Sequence, residues 1–111
     1  MKKLVLFSLA LLVGGAVSLR AADVKENWEK NCAKCHGAAG KGDTKMGQKL
    51  GVKDYTDAKV QEAMKDEEMT KAIKDGVKEK DSDKVKMKAF GETLSAEEIK
   101  ALVAQVRSFK K

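Results

Sequence analysis

The chain has no proline, a single histidine and only two cysteines among its 111 residues, and aromatic side chains make up 5% of it. Each shortage excludes something. One histidine and two cysteines leave no second ligand pair for a structural zinc, which takes about four protein ligands. Without proline, no loop is stiffened by a fixed φ. With so few rings, a core of stacked aromatics is out of reach. The lysines alternate with acids along helical stretches, and no basic stripe carries aromatics, so nucleic-acid binding has no footprint. Nothing supplies an activated nucleophile, a paired general acid and base, or a phosphate-cradling loop. The chain is therefore not expected to be an enzyme. No repeat and no alternating strand pattern is visible, which predicts an all-α domain.

What is present is concentrated. Both cysteines and the one histidine fall in Cys32-Ala33-Lys34-Cys35-His36. C-x-x-C-H is the spacing of covalent c-type haem attachment. Two thiols separated by two residues can each add to one vinyl group of the same porphyrin. The histidine that follows is then held beneath the iron as an axial ligand. A thioredoxin-like dithiol would open a helix after a buried strand, whereas Asp23 to Asn31 is charged and helical in pattern. A plain disulfide would leave His36 without a role. These residues predict one haem c, attached through Cys32 and Cys35, with its iron on His36. A porphyrin would also supply the apolar core that so short a chain builds poorly alone.

The N-terminus has the anatomy of a signal peptide. Lys2 and Lys3 precede an apolar run, Leu4 to Val13, and small residues follow up to Ala22. Residues 1–22 are expected to be cleaved, leaving residues 23–111 as one mono-haem domain in the periplasm. The apolar run is short and interrupted by Gly14, Gly15 and Ser18, so no stable membrane insertion is expected. Cleavage would remove Lys2, Lys3 and Arg20 and no acid, halving the precursor's formal charge of +6. Two ionised haem propionates would lower it further.

In the mature chain, Val24, Trp28 and Cys32 share one face of a helix that opens at Asp23, with Asp23-Val24-Lys25-Glu26 as its capping box. Five glycines between Gly37 and Gly51 predict a long loop around something that is not protein. Asp57 to Met64 has weak helical character. Asp66 reads as the N-cap of a better helix that ends at Gly76, and Val77 to Val85 reads as an exposed loop. The last helix has a complete capping box in Ser95-Ala96-Glu97-Glu98, with Leu94 and Ile99 placed as a hydrophobic staple. Ile99, Leu102, Val103 and Val106 form its apolar stripe, which Phe109 extends.

The sixth position of the iron is open unless the chain fills it, and a methionine sulfur is the expected ligand. Met1 leaves with the signal peptide, and Met64 and Met69 lie in helical stretches where core packing is their expected role. Met46, in the glycine loop, competes with Met87, in Lys86-Met87-Lys88-Ala89-Phe90-Gly91. Met87 is favoured because its lysine-flanked segment has no obvious core to fill.

With its haem motif near the mature N-terminus, the glycine loop, Met87-Lys88-Ala89-Phe90-Gly91 and a capped final helix ending Val106-Arg107-Ser108-Phe109, the mature chain resembles a class I bacterial cytochrome c. The resemblance implies a small cytochrome c fold, three to four helices wrapped around one covalently bound haem. It places Met87 over the iron, where the family typically has M-P-A-F. Lys88 stands where that proline is common, and Lys45 at another such position, so a loose Met87 loop is expected. The other ring nitrogen of His36 should donate to a backbone carbonyl of the glycine loop.

The implied function is that of a monomeric periplasmic electron carrier. It would exchange single electrons through a His36/Met87-ligated haem with redox proteins such as a terminal oxidase, reductase or dehydrogenase. Lys34, Lys45, Lys49, Lys86 and Lys88 could steer an acidic partner. A haem sensor or peroxidase-like protein with a labile sixth ligand, and a dedicated cytochrome subunit of a larger redox complex, remain the alternatives.

Overall fold

Helix α6 (Ala96–Ser108) organises the domain. The hydroxyl of Ser95 accepts from the Glu98 N–H, and the Glu98 carboxylate accepts from the Ser95 N–H. This closes the capping box and satisfies two amides that a helix start otherwise leaves free. The stripe Ile99, Leu102, Val103 and Val106 is buried, Leu102 completely. Full burial of one such side chain stabilises the fold by roughly 1.5–3 kcal/mol. Leu94 and Ile99 enter the same core, as a staple requires.

The computed structural model describes residues 21–111; the expected signal peptide lies outside the described residues except for Ala21 and Ala22. Those two alanines already belong to α1 (Ala21–Asn31). Asp23 is thus not a cap. Alanine is the best helix former, and the helix extends over both, leaving Asp23 in the first turn, where its charge suits the helix dipole. A break at Cys32 separates α1 from the single turn α2 (Ala33–His36). Then follow α3 (Lys45–Leu50), α4 (Ala58–Ala63) and α5 (Asp66–Asp75). Helices α1 and α5 both pack on α6. Their shared core holds Trp28, Cys32, Met69, Ile73, Phe90 and Leu94 together with the α6 stripe.

The domain is mostly helical, with six helices among the described residues where three to four were expected; α2, α3 and α4 are each of six residues or fewer. The glycine loop is not continuous loop. Thr44 caps α3 by accepting from the Gly47 N–H at 2.8 Å, and Gly51 ends it in the left-handed conformation. Asp66 is the first residue of α5 rather than its cap, because its carboxylate turns to Arg107 at 2.8 Å. The segment after Gly76 is exposed as expected but forms a hairpin rather than a loop. Strands β1 (Val77–Lys78) and β2 (Val85–Met87) pair antiparallel, Val77 opposite Met87. β-Branched valines favour the strands, and Asp81 takes a positive φ of 63° in the connection.

One buried polar hub ties the middle of the chain to α6. Gln61 is 4% exposed, and its Nε2 donates to the carbonyls of Tyr55 (2.7 Å) and Val106 (2.8 Å). Arg107 Nη1 donates to the Gln61 carbonyl (2.7 Å) and to its Oε1 (3.0 Å), and Nη2 donates to the Met64 carbonyl (2.8 Å). The rigid guanidinium fork thereby satisfies carbonyls at the end of α4.

Candidate haem site

The motif residues come together because they occupy one helical turn. The Cys32 N–H donates to the Trp28 carbonyl at 2.8 Å, and the His36 N–H to the Cys32 carbonyl at 2.9 Å. Positions i, i+3 and i+4 of such a turn share a face. Cys32, Cys35 and His36 accordingly all line one cavity of about 490 Å³. Leu50, Val52, Met69 and Phe90 give it apolar lining.

Cys32 and Cys35 are not joined in a disulfide. Burial, with a smaller contribution from Cys35, pushes the Cys32 thiol up to about 11. A redox dithiol works in the opposite direction, with its thiolate stabilised, so the dithiol alternative has no support here. Burial also holds His36 below its ordinary 6.5, favouring the neutral ring with a free lone pair that a metal requires. Among the described residues, no cluster of three or more His, Cys, Asp or Glu side chains is arranged to hold a metal ion. The donor set is one of two thiols, an imidazole and thioether sulfurs around an apolar cavity.

The imidazole is positioned by rings. His36 stacks on Tyr55, with centroids 5.3 Å apart and planes 24° from parallel. Trp28 lies 5.8 Å away, tilted by 40°. The expected hydrogen bond from the second ring nitrogen is not formed: Nδ1 is buried without a partner. The Gly37 carbonyl, in the glycine loop, accepts instead from the indole Nε1 of Trp28 at 2.9 Å and from the Gly40 N–H at 3.1 Å. The imidazole is therefore held by its aromatic neighbours rather than by a hydrogen bond from its second nitrogen.

The back of the turn is held by contacts that sequence reasoning missed. The Thr44 hydroxyl donates to the Cys35 carbonyl at 2.9 Å while capping α3. Gly47 packs directly against the same carbonyl, where a Cβ has no room. Tyr55 was missed as well, although it is the only tyrosine of the chain and stands just beyond the glycine loop.

Methionines are brought to the cavity unequally. Met87, half-buried on β2, lines it. Met64 and Met69 also line it, beside their part in the core. Met46 does not; it is 37% exposed on α3. Of the lysines expected near the rim, Lys34, Lys86 and Lys88 line the cavity and Lys53 joins them, while Lys45 and Lys49 do not.

Comparisons with known proteins agree with this site. The family "Cytochrome C oxidase, cbb3-type, subunit III" matches residues 19–105. The KustC0563 c-type cytochrome is 37% identical and superposes with a TM-score of 0.69 over 78% of this chain and 96% of its own. A tyrosine-to-phenylalanine mutant of that cytochrome is 36% identical and superposes with a TM-score of 0.67 over 79% of this chain and 99% of its own. No curated protein matches. Haem c, bound covalently, is the cofactor that this family and the Cys32/Cys35 pair imply. Motif, fold and relatives converge, and the chain belongs to the small class I c-type cytochromes.

Proposed function

We propose that this cytochrome is a soluble periplasmic electron carrier, exported by residues 1–22 and working as a monomer with His36 and Met87 as the axial ligands of its iron. Haem c, when bound, supplies a one-electron couple. The observation that carries the reading is that the C-x-x-C-H turn of α2 and Met87 of β2 line the same cavity from separate elements. Cys32 and Cys35 anchor the group, His36 presents a neutral nitrogen, and Met87 presents a soft thioether that raises the potential. An iron held by both His36 and Met87 would keep no open position for a substrate.

Met64 and Met69 also reach the cavity, so the assignment of Met87 leans on its segment. Met69 sits in the middle of α5 with its side chain in the core, and Met64 directly precedes the α5 cap. Met87 lies half-buried on a hairpin strand at the edge of the core, in the Met87-Lys88-Ala89-Phe90-Gly91 segment that the family resemblance places over the iron. Met87→Ala is expected to abolish the sulfur-to-iron charge-transfer band of the oxidised protein, lower its potential and open the iron to added ligands. Met46→Ala and Met64→Ala should retain the band. Loss of the band in Met64→Ala instead would move the ligand to α4.

Partners would be redox proteins such as an oxidase, reductase or dehydrogenase, in small and transient encounters. The exposed Lys34, Lys53, Lys86 and Lys88 beside the cavity favour an acidic docking face. The oxidase-subunit name of the matching family favours a second reading, a dedicated subunit of a larger redox complex. Co-purification with a membrane oxidase under mild detergent would support the subunit; recovery as a free monomer supports the carrier.

A further inference from the structure

The segment carrying Met87 has no proline, yet the C-terminus of α5 ties it down at successive points. The Phe90 N–H donates to the Ile73 carbonyl at 2.8 Å, and the Gly91 N–H to the Lys74 carbonyl at 3.0 Å. Both acceptors are last-turn carbonyls that would otherwise lack partners. Phe90 and Ile73 are buried in the same core. On the hairpin side, Val77 pairs with Met87.

Gly76 sits between these two anchors. Its φ of +79° and ψ of −179° belong to a region nearly closed to L side chains. A Cβ on Gly76 would lie 2.6 Å from the Met87 carbonyl oxygen, 2.9 Å from the Ala89 nitrogen and 3.2 Å from the Lys88 carbonyl carbon. The backbone that carries Met87 therefore rests directly on the Gly76 Cα. Gly91 closes the same seam further along, where a Cβ would lie 2.9 Å from the Lys74 carbonyl oxygen.

Resting on the reading of Met87 as an iron ligand, we propose that Gly76 and Gly91 are positioning residues for Met87. The close seam they permit between the end of α5 and residues 87–91 sets where the sulfur sits and how readily it leaves the iron. A side chain at either position forces the 87–91 backbone outward. The Cys32-Cys35-His36 turn, carried by another element, stays in place. A neutral thioether is the weakest of the donors and gives way first.

The test uses the haem-loaded protein as wild type, Gly76→Ala, Gly91→Ala, Gly51→Ala and Met87→Ala. Gly51 is the control: it lines the cavity from the end of α3, its φ is +68°, and a Cβ there meets no protein atom within 4 Å. It carries backbone strain without touching the seam. Oxidised protein is titrated with imidazole while the sulfur charge-transfer band is followed, and thermal unfolding is measured in parallel. Gly76→Ala and Gly91→Ala should lower the imidazole midpoint by roughly tenfold, about 1.4 kcal/mol. Gly51→Ala should lose thermal stability with its midpoint within about twofold of wild type. An unmoved midpoint in Gly76→Ala, or an equal shift in Gly51→Ala, overturns the proposal. If Gly76→Ala yields no folded holoprotein, Gly91→Ala, which is not at positive φ, decides by the same criterion. A wild-type protein without the band, or Met87→Ala retaining it, refutes the ligand reading itself. A band lost in Met87→Ala with unmoved glycine variants refutes only the positioning role.

Discussion

The indole N–H of Trp28 donates to the carbonyl of Gly37 at 2.9 Å, joining the middle of α1 to the residue directly after His36. Trp28 is 3% exposed and also packs on Phe109, with ring centroids 4.9 Å apart and planes tilted by 57°. One side chain thus links the first helix, the haem-binding turn and the end of α6. The link explains how a turn of four residues, too short to be stable alone, holds two thiols and an imidazole on one face.

Trp28→Phe should keep much of the packing and lose the hydrogen bond, leaving the Gly37 carbonyl with the Gly40 N–H at 3.1 Å as its donor. The expected cost is about 0.5–1.5 kcal/mol in urea unfolding of the holoprotein. A loss below about 0.5 kcal/mol would mean that water replaces the indole and that the bond does not brace the turn.

Tyr55 and Trp28 orient an imidazole whose second nitrogen has no partner. Tyr55→Phe preserves the ring contact, so the haem methyl NMR shifts of the oxidised protein, which report ligand orientation, should change little. Tyr55→Leu removes a contact worth about 0.5–1.5 kcal/mol beyond area burial and should redistribute those shifts. Identical spectra for the two variants would deny the stacked ring any orienting role.

Arg107→Ala removes the donors of the Met64 carbonyl and of the Gln61 side-chain Oε1, and leaves the Gln61 carbonyl only the Met64 N–H at 3.2 Å. A loss of about 2–3 kcal/mol is expected in chemical unfolding, and Arg107→Lys should restore little because an ammonium cannot span the same acceptors. Asp66→Asn should cost less than about 1 kcal/mol, since that side chain is 66% exposed and its ion pair is screened. An Asp66→Asn loss as large as that of Arg107→Ala would place the energy in the ion pair instead.

Glu98 accepts from the Ser95 N–H and from the Asn27 amide, and these bonds hold its carboxyl below the ordinary 4.5. As pH falls, the unfolded chain takes up the proton first. The stabilisation is therefore complete above 4.5 and is lost as pH drops through the depressed folded value. Glu98→Gln keeps an acceptor without titrating. It should be less stable by under about 1 kcal/mol near neutrality, a solvent-screened effect, with the two proteins converging in acid. Unfolding curves at pH 7 and pH 3 check this; a difference that persists unchanged in acid would assign it to geometry rather than charge.

Local chemistry made much of this protein legible in one dimension. Cys32, Cys35 and His36 are informative because their spacing matches a helical turn, and a turn is a local structure. Ser95 to Glu98 announced α6 for the same reason, and the stripe from Ile99 to Val106 announced which face is buried. Thr44 and Gly51 carried the same kind of cap signal for α3, obscured by the glycines around them.

What the tertiary structure alone decided are matters of close approach between segments distant in sequence. Asp66 has the chemistry of a cap, yet Arg107, 41 residues away, takes its carboxylate. Val77 to Met87 is too short and too polar to read as strands, and it forms a hairpin because β1 and β2 supply each other's backbone partners. Three methionines reach the cavity while Met46 turns to solvent, a sorting that no local pattern encodes. The stack of Tyr55 on His36 and the seam of Gly76 under Met87 belong to the same class. Helical spacing and caps act within a turn, whereas packing excludes overlap between surfaces that meet only when the chain has folded.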